Sequence, residues 1–519
     1  MSDQLDLIDL DNQTFSSNQA TDASAVRNSQ ERYTLSYISS LTLFTLLGYA
    51  YIFLFPALGV AAASSLYFNT FAANDFNDIT LIIIQVSTLI FSLLMTIYLF
   101  QRAPTLPAGR PVTSQDAPRL IQLVTELCAE LHLTTIHRIR VTREFELSLV
   151  RTPKSGFPFR TINTLIIGLP LMQCLTPVQF RSAVHRELVH LSGPVTRPGR
   201  WFYFARQKWT QYQNSYQSDF SIPTLIMRIF FSWYAPLYRF YSKKAARHEE
   251  LYADDQAFNT IKDNGFVDML TAVMLGHRFL EQEYWPSLNI KAYKYHTPPY
   301  MPYSCLEIHF RNKLLPRIAQ QWIDESLQTK PTTSTMPDFY SRINKLDVWN
   351  VILPHTSEES AASYFLDDSC DTIIDQMDQV WFKSQQYKWQ QRFKKGQLER
   401  NKLKELKLQA SQGMLSDIKT WEYIQLIGKY VERHEAILLY KKLLDIQHKD
   451  SRIYFEIGRG LISCMDAGGI QVLEQSMTLD KRHTVAACNM ITQFYVQTGK
   501  SRFAQPYRRR ALAYQVEAA

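Results

Sequence analysis

Two long apolar runs dominate the first hundred positions of the chain. Residues 37–68 and 79–100 each lack Asp, Glu, Lys and Arg, and each is long enough to cross about 30 Å of hydrocarbon as a helix. A polar tail, residues 1–34, precedes them. The pattern predicts two transmembrane helices within residues 35–102 and a membrane as a partner of the chain.

The distribution of basic residues predicts the orientation of these helices. The segment between the runs, NTFAANDFND, has no Lys or Arg, whereas Arg27 and Arg32 precede the first run and Arg102, Arg110 and Arg119 follow the second. Basic residues stay on the cytoplasmic side, so both ends are expected in the cytoplasm. The cysteines show no CxxC or framework spacing and indicate buried thiols in a reducing compartment: Cys128, Cys174, Cys305, Cys370, Cys464 and Cys488.

Beyond residue 115 the pattern becomes that of a globular domain. The segment APRLIQLVTELCAELHL has apolar residues at helical spacing, and IHRIRVT alternates as a strand does. A further strand is predicted at residues 165–168, followed by a turn at Pro170 and by a helix that begins near Val178. The mixture of both patterns predicts an α+β fold.

A third apolar segment, residues 222–241, is interrupted by Arg228, Pro236 and Arg239. Charged side chains and a proline inside the run favour a buried or interfacial helix. A third membrane span is the alternative.

The stretch SAVHRELVHLSG, residues 182–193, comes close to the HExxH pattern of zinc metallopeptidases. Glu187 and His190 occupy its second and fifth positions, but Arg186 occupies the first. His185 lies one residue earlier, and five residues turn a helix by about 500°, which leaves His185 about 140° away from His190. An ordinary helix therefore cannot present both histidines to one metal ion.

Longer motifs surround this helix. In chain order they are LIIGLPLMQCLTPVQFRSAVHRELVHLSG, GRWFYFARQKW, WYAPLYRFYSKKAARHEELYADD, PDFYSRINKL and VWFKSQQYKWQQRF. Together they resemble the membrane gluzincin metallopeptidases that include HtpX and the CAAX prenyl protease, in the bacterial branch with two N-terminal membrane helices. The resemblance covers residues 110–395 and implies a thermolysin-like zinc metallopeptidase domain at the cytoplasmic face of a bacterial inner membrane.

The resemblance also implies roles for single residues. Carried over by position, Glu187 is the general base, His190 and Glu250 are zinc ligands, and Asp254 is the acid that supports Glu250. One zinc ion per chain is the implied cofactor. The strand at residues 164–168 resembles the edge strand on which a peptide substrate lies by β-addition.

Arg186 stands where the family has its first zinc-binding histidine, and an arginine cannot be deprotonated to bind a metal. Three interpretations stay open. The favoured one is an inactive site in which Arg186 forms a buried ion pair with Glu250 in place of the metal. In the second, a π-bulge brings His185 into the site. In the third, His248 or a neighbouring carboxylate completes a weakened zinc site.

After the metallopeptidase-like region the chain is rich in Lys, Glu and Gln, which predicts a linker helix at residues 396–416. A weak repeat follows in residues 417–519, where Ala436, Gly469 and Ala504 recur with a period of about 34 residues. This pattern resembles degenerate tetratricopeptide helix pairs, and an irregular helical bundle is the alternative. A concave helical surface would bind a peptide or a partner protein.

The predicted architecture is thus an α+β metallopeptidase-like domain behind two transmembrane helices, followed by an α-helical repeat domain. The predicted function is that of a membrane-anchored zinc metalloendopeptidase homologue, impaired by Arg186. The alternative is an inactive pseudopeptidase that binds proteins through its cleft and repeats. Another chemistry in the same cleft is a third hypothesis, which no Ser/His/Asp or Cys/His pattern supports. The net charge of +8 is modest, and its basic runs fit solvated helix faces, so no nucleic-acid partner is expected.

Overall fold

The computed structural model describes most of the chain. The described residues are 35–69, 76–101, 109–133, 136–153, 161–192, 198–216, 221–261, 265–328, 335–348, 350–355, 359–412, 417–431, 433–444, 450–498 and 500–518. The predicted polar tail, residues 1–34, lies outside them with Arg27 and Arg32, and so does Arg102.

Two long helices, α1 (Leu35–Asn69) and α2 (Phe76–Gln101), form where the two apolar runs lie. Both are long and apolar enough to cross a membrane. They pack against each other, and the hydroxyl of Ser92 donates a hydrogen bond to the carbonyl oxygen of Phe55. Many of their large apolar side chains are exposed, including Leu43, Val60, Ile83 and Leu94. The two helices predicted from the sequence are therefore present.

A small mixed sheet begins the globular part. Its four strands are β1 (Arg110–Val112), β2 (Arg138–Thr142), β3 (Leu147–Pro153) and β4 (Thr161–Gly168), in the order β1-β2-β4-β3. Helix α3 (Pro118–Glu130) connects β1 to β2. β1 pairs antiparallel with β2 through Arg110 opposite Val141.

The central position of β4 corrects one expectation. β4 pairs in parallel with β2 and antiparallel with β3, so residues 164–168 do not form the edge strand. Every residue from Asn163 to Gly168 is buried, and a strand covered on both faces belongs in the interior of a sheet. The edge strand on this side is β3.

The segment after β4 leads into the helix that carries the HExxH-like motif. A short helix, α4 (Leu169–Cys174), lies where a turn at Pro170 is predicted, because proline in the first turn of a helix costs no hydrogen bond. α5 (Pro177–Val189) then begins one residue before the predicted start. Thr176 and Gln179 cap it reciprocally: the Gln179 N–H donates to Thr176 Oγ1 at 3.3 Å, and the Thr176 N–H donates to Gln179 Oε1 at 3.0 Å.

Helices complete this domain. In chain order they are α6 (Pro198–Ser215), α7 (Ile222–Tyr241), α8 (Lys243–Ile261), α9 (Gly265–Phe279), α10 (Trp285–Lys291), α11 (Pro302–Lys313), α12 (Pro316–Gln328), α13 (Phe339–Leu346) and α14 (Ala361–Leu366). A π-helical turn, Leu280–Tyr284, joins α9 to α10. α5 runs through the main apolar core, where Phe180, Val184 and Leu188 are fully buried. This burial fixes the direction of the polar side chains on the same helix.

A single helix of 42 residues, α15 (Cys370–Ser411), leads out of the domain. The linker predicted at residues 396–416 has no separate beginning, because the segment contains no proline and the helix continues through Gly396. Leu403 and Leu406 of α15 pack into the first apolar cluster of the C-terminal region.

The C-terminal region consists of helices that follow one another in pairs. They are α16 (Asp417–Tyr430) with α17 (Arg433–Leu444), α18 (Ser451–Ser463) with α19 (Gly468–Leu479), and α20 (Thr484–Gln497) with α21 (Ser501–Ala518). Ala436, Gly469 and Ala504 are buried, each in the second helix of its pair. The structure is thus mostly helical with one small mixed sheet, and the thermolysin-like and tetratricopeptide assignments stay predictions.

Candidate functional site

Helices α5 and α8 pack together and bring the sequence-predicted site residues to one place. Arg186, Glu187 and His190 lie at the C-terminal end of α5, and Glu250 and Asp254 lie on α8. All five are buried, and the most exposed of them, Arg186, is 8% exposed. Buried charges require partners, so their contacts define what the site can do.

The guanidinium of Arg186 is the centre of the site. Its Nε donates to Asp254 Oδ1 at 2.9 Å, its Nη1 donates to Glu187 Oε2 at 3.3 Å, and its Nη2 donates to Glu250 Oε2. Each of the three nitrogens thus engages a different carboxylate, as the planar fork of an arginine allows. The structure contains the Arg186–Glu250 ion pair of the favoured interpretation.

The ionisation of this ion pair follows from its neighbours. Burial by itself would lower the pKa of the Arg186 guanidinium, but Glu250, Asp254 and Glu187 more than offset it and raise this pKa above its ordinary value. Burial would likewise raise the pKa of the Glu250 carboxyl, but Arg186, His190 and Arg342 lower it well below its usual range. Both partners are therefore charged at physiological pH.

Glu187, the implied general base, has both carboxylate oxygens occupied. Oε2 accepts from Arg186, and Oε1 accepts at 2.8 Å from the backbone N–H of Leu149 on the edge strand β3. The carbonyl oxygen of Leu149 accepts in turn from Gln207 Nε2 of α6 at 3.1 Å. The side chains of Glu187 and Gln207 thus take the backbone groups that Leu149 would offer to an added peptide strand.

Asp254, the implied supporting acid, joins a second arginine to the site. Nη1 of Arg342, on α13, donates to Asp254 Oδ1 at 2.9 Å and to Oδ2 at 3.1 Å. Asp254 is completely buried, and its Oδ1 accepts from both Arg186 and Arg342. The two arginines therefore hold α5, α8 and α13 together through one carboxylate.

His190, the implied zinc ligand, lies beside the ion pairs. Its Nε2 is 3.8 Å from Glu250 Oε2 and its Nδ1 is 3.9 Å from Glu249 Oε1. The imidazole stacks on Tyr203 of α6, with ring centroids 4.7 Å apart. Burial alone would lower the pKa of His190, but Glu249, Glu250 and Glu187 more than offset it, so this pKa is raised.

The second and third interpretations involve His185, His248 and a neighbouring carboxylate, and Glu249 is such a carboxylate, with Oε1 3.9 Å from Nδ1 of His190. α5 is α-helical throughout Pro177–Val189, without a π-turn. His185 is buried, and the pKa of His185 is lowered by burial, with Glu130 and Arg181 as its charged neighbours. His185 thus faces away from the guanidinium of Arg186, as the helical register predicts. His248 is exposed, whereas the ion pairs are buried.

A zinc ion does not fit these residues as they stand. The 3.8 Å between His190 Nε2 and Glu250 Oε2 is near the spacing of about 3.4 Å expected for two tetrahedral ligands. The same oxygen of Glu250, however, accepts a hydrogen bond from Arg186. Among the described residues, no three His, Cys, Asp or Glu side chains are placed to hold a metal ion together.

Five contributors to the site escaped the sequence analysis: Arg342, Tyr203, Gln207, Glu249 and the backbone N–H of Leu149. Arg342 lies in the quoted motif PDFYSRINKL. The buried acidic residues of α8, Glu249, Glu250 and Asp254, are the signal that could have suggested a second cation nearby. Tyr203 lies in the quoted motif GRWFYFARQKW. The backbone N–H of Leu149 carries no side-chain signal at all.

Comparisons with known proteins add no assignment. No protein family, curated protein or solved structure matches the chain at a significant level.

Proposed function

We propose that this chain is a membrane-anchored homologue of zinc metallopeptidases that has lost peptide hydrolysis and acts by binding a protein partner. One observation carries the proposal: the guanidinium of Arg186 binds Glu187, Glu250 and Asp254 at once. A fixed cation at this point supplies the positive charge that the carboxylates need and excludes a metal cation by repulsion.

The state of the implied general base supports the loss of hydrolysis. A base must accept a proton from a water molecule within hydrogen-bond reach. Both oxygens of Glu187 already accept hydrogen bonds, from Arg186 and from Leu149. In addition, the edge position at Leu149 is occupied by Glu187 and Gln207, which opposes β-addition of a substrate there.

Membrane anchoring through α1 and α2 is supported by their length and their exposed apolar side chains. Arg110 and Arg119 follow α2 closely, which supports a cytoplasmic position for the globular part. The six cysteines form no disulfide bond with one another, as expected in a reducing compartment. The resemblance supports a bacterial inner membrane.

The C-terminal helix pairs support the proposed protein binding. Three consecutive helical hairpins follow one another with small buried residues at corresponding positions, an arrangement that resembles tetratricopeptide repeats. Such arrays present extended surfaces to peptides. The proposed partner is therefore a peptide segment or another protein.

Zinc content and peptide cleavage test the proposal together. The full-length chain, Glu187→Gln, Arg186→His and the double variant Arg186→His/Glu187→Gln are purified in detergent, and each is assayed for bound zinc and for casein cleavage. The wild type is expected to hold far less than one zinc per chain and to leave casein intact. Arg186→His restores the HExxH pattern and is expected to bind zinc, and the double variant controls for cleavage by contaminants.

Near-stoichiometric zinc in the wild type, with cleavage that Glu187→Gln abolishes, would overturn the proposal. That outcome would establish the competing function, peptide hydrolysis at a zinc site completed by other ligands.

A further inference from the structure

Helix α7 carries a stripe of exposed apolar side chains along its whole length. The stripe residues are Ile222, Leu225, Ile229, Trp233, Leu237 and Phe240, with Ile222 71% and Phe240 74% exposed. Their spacing of three or four residues places them on one face of the helix. An exposed apolar surface of this length marks a contact with lipid or protein.

The opposite face of α7 packs against the anchor helix α1. The hydroxyl of Tyr37 donates to the carbonyl oxygen of Tyr241 at 2.8 Å, and the hydroxyl of Tyr51 donates to that of Ile226 at 3.1 Å. Contacts thus run in opposite directions along the two helices, so α7 lies antiparallel to α1.

Aromatic packing supports the same arrangement. Phe44 of α1 stacks on Tyr238, and Tyr51 of α1 stacks on Phe230 with ring centroids 3.7 Å apart. Near the N-terminal end of α7, the hydroxyl of Thr224 hydrogen-bonds the hydroxyl of Tyr98 on α2. α7, which carries the stripe, therefore packs against both anchor helices, α1 and α2.

The composition and charge of α7 suit a lipid surface. Its 20 residues make it about 30 Å long, and it lies beside the part of α1 from Tyr37 to Tyr51. The helix has two arginines and no acidic residue, and Lys243 and Lys244 follow it. Long basic side chains at the edge of an apolar surface can reach anionic headgroups.

The shape of the stripe distinguishes lipid from a second copy of the chain. It is one side chain wide, whereas a stable protein interface buries about 800 Å² on each partner. The neighbouring helix α1 exposes further apolar side chains, Leu43, Leu46 and Leu47, over the length that α7 covers. The surface therefore continues into the face of the anchor rather than forming a separate patch.

We propose that the stripe of α7 contacts the lipid bilayer, so that α7 is a third membrane-associated helix beside α1. The proposal rests on the membrane anchoring proposed above. α8 begins at Lys243, two residues after α7 ends, and Glu250 lies on its second turn. The ion-pair cluster is therefore held close to the membrane surface.

Lipid quenching of a fluorophore tests this contact in the full-length chain. Cys305, the one cysteine that is not buried, is changed to serine, and single cysteines replace Ile229 or Leu237 and are labelled with bimane. Leu94 on α2 is the positive control for lipid, and Leu438 on α17, 49% exposed, is the control for water. The protein is reconstituted in vesicles of phosphatidylcholine and phosphatidylglycerol that contain lipids with spin-labelled acyl chains.

The expected result is quenching at Ile229 and Leu237 to at least about half of that at Leu94, with little at Leu438. Quenching at Leu94 alone would overturn the contact of α7 and leave the anchor intact. Absence of quenching at all positions would overturn the anchor as well. Crosslinks between copies at Ile229, without quenching, would assign the stripe to self-association and also overturn the proposal.

Discussion

Nη2 of Arg186 on α5 donates to Oε2 of Glu250 on α8, so a buried guanidinium joins the two helices. Without this guanidinium, the carboxylates of Glu187, Glu250 and Asp254 would be buried near one arginine, Arg342. Arg186 supplies the missing charge, and its fork also provides hydrogen bonds to all three.

Arg186→Ala is expected to destabilise the protein by about 3–5 kcal/mol, because three buried carboxylates lose a partner. Thermal unfolding in detergent measures the effect. Arg181→Ala is the matched control on the same helix, since Arg181 is 41% exposed and pairs with Glu126 and Glu130 at the surface. This control should cost less than about 1 kcal/mol. Equal losses in both variants would contradict a structural role of the buried pair.

Simultaneous removal of both charges should cost less than removal of either one. Arg186→Met/Glu250→Leu replaces the ion pair by apolar side chains, and buried pairs exchanged in this way are often neutral in stability. Asp254 keeps Arg342, and Glu187 keeps the N–H of Leu149. We expect the double variant to unfold at a higher temperature than either single variant. Additive losses in this double-mutant cycle would show that the two residues act independently.

The stability should depend on pH through His190. Nearby carboxylates raise the pKa of His190 in the folded protein against the effect of burial, while the unfolded chain titrates near about 6.5. Because the pKa of His190 is higher in the folded protein than in the unfolded chain, protonated His190 stabilises the fold fully below about pH 6.5. This contribution is lost as the pH rises through the folded-state pKa. The wild type should therefore lose more thermal stability between about pH 6 and pH 9 than His190→Gln does.

A second histidine variant separates this effect from the loss of any imidazole. His434→Gln removes an exposed histidine of α17 and is expected to follow the wild-type profile. If His190→Gln also followed it, His190 would not be coupled to Glu249 and Glu250 in the way described.

Helical periodicity predicted how the site residues of α5 are arranged around that helix. It places Arg186, Glu187 and His190 on neighbouring positions and His185 on another face, because residues four apart share a face of a helix and residues five apart do not. Glu250 and Asp254, which the resemblance implied as site residues, are also four positions apart and share a face of α8. These inferences need only the local geometry of one helix at a time.

Strand order and long-range partners could not be predicted in this way. Residues 164–168 were expected to form the edge strand, but β3 forms it instead. The pairing of strands depends on the whole sheet and leaves no periodic signal in the sequence. The contact of Glu187 with Leu149 joins residues 38 positions apart, and the group that Leu149 contributes is a backbone N–H, which every residue except proline possesses. Arg342 was within a quoted motif, but only the fold brings it to Asp254.

The packing of the C-terminal helix pairs makes a separate prediction at Gly469. A Cβ atom there would lie 2.8 Å from the carbonyl oxygen of Gly458 and 2.9 Å from the Cγ1 of Ile462. α18 would have to shift away from α19, so Gly469→Ala should destabilise this pair by about 1–3 kcal/mol. Hydrogen exchange of the α18 and α19 amides measures the loss locally.

Gly468→Ala is the matched control at the preceding position of the same helix. Gly468 is exposed, and its nearest neighbour for a Cβ atom is the side chain of Asp466 at 3.1 Å. Alanine favours the helix over glycine by up to about 1 kcal/mol, so this variant should be neutral or slightly more stable. The same exchange rates in both variants would mean that the small residue at position 469 is not required for close packing. Such a result would remove the main structural support for reading Ala436, Gly469 and Ala504 as equivalent positions of a repeat.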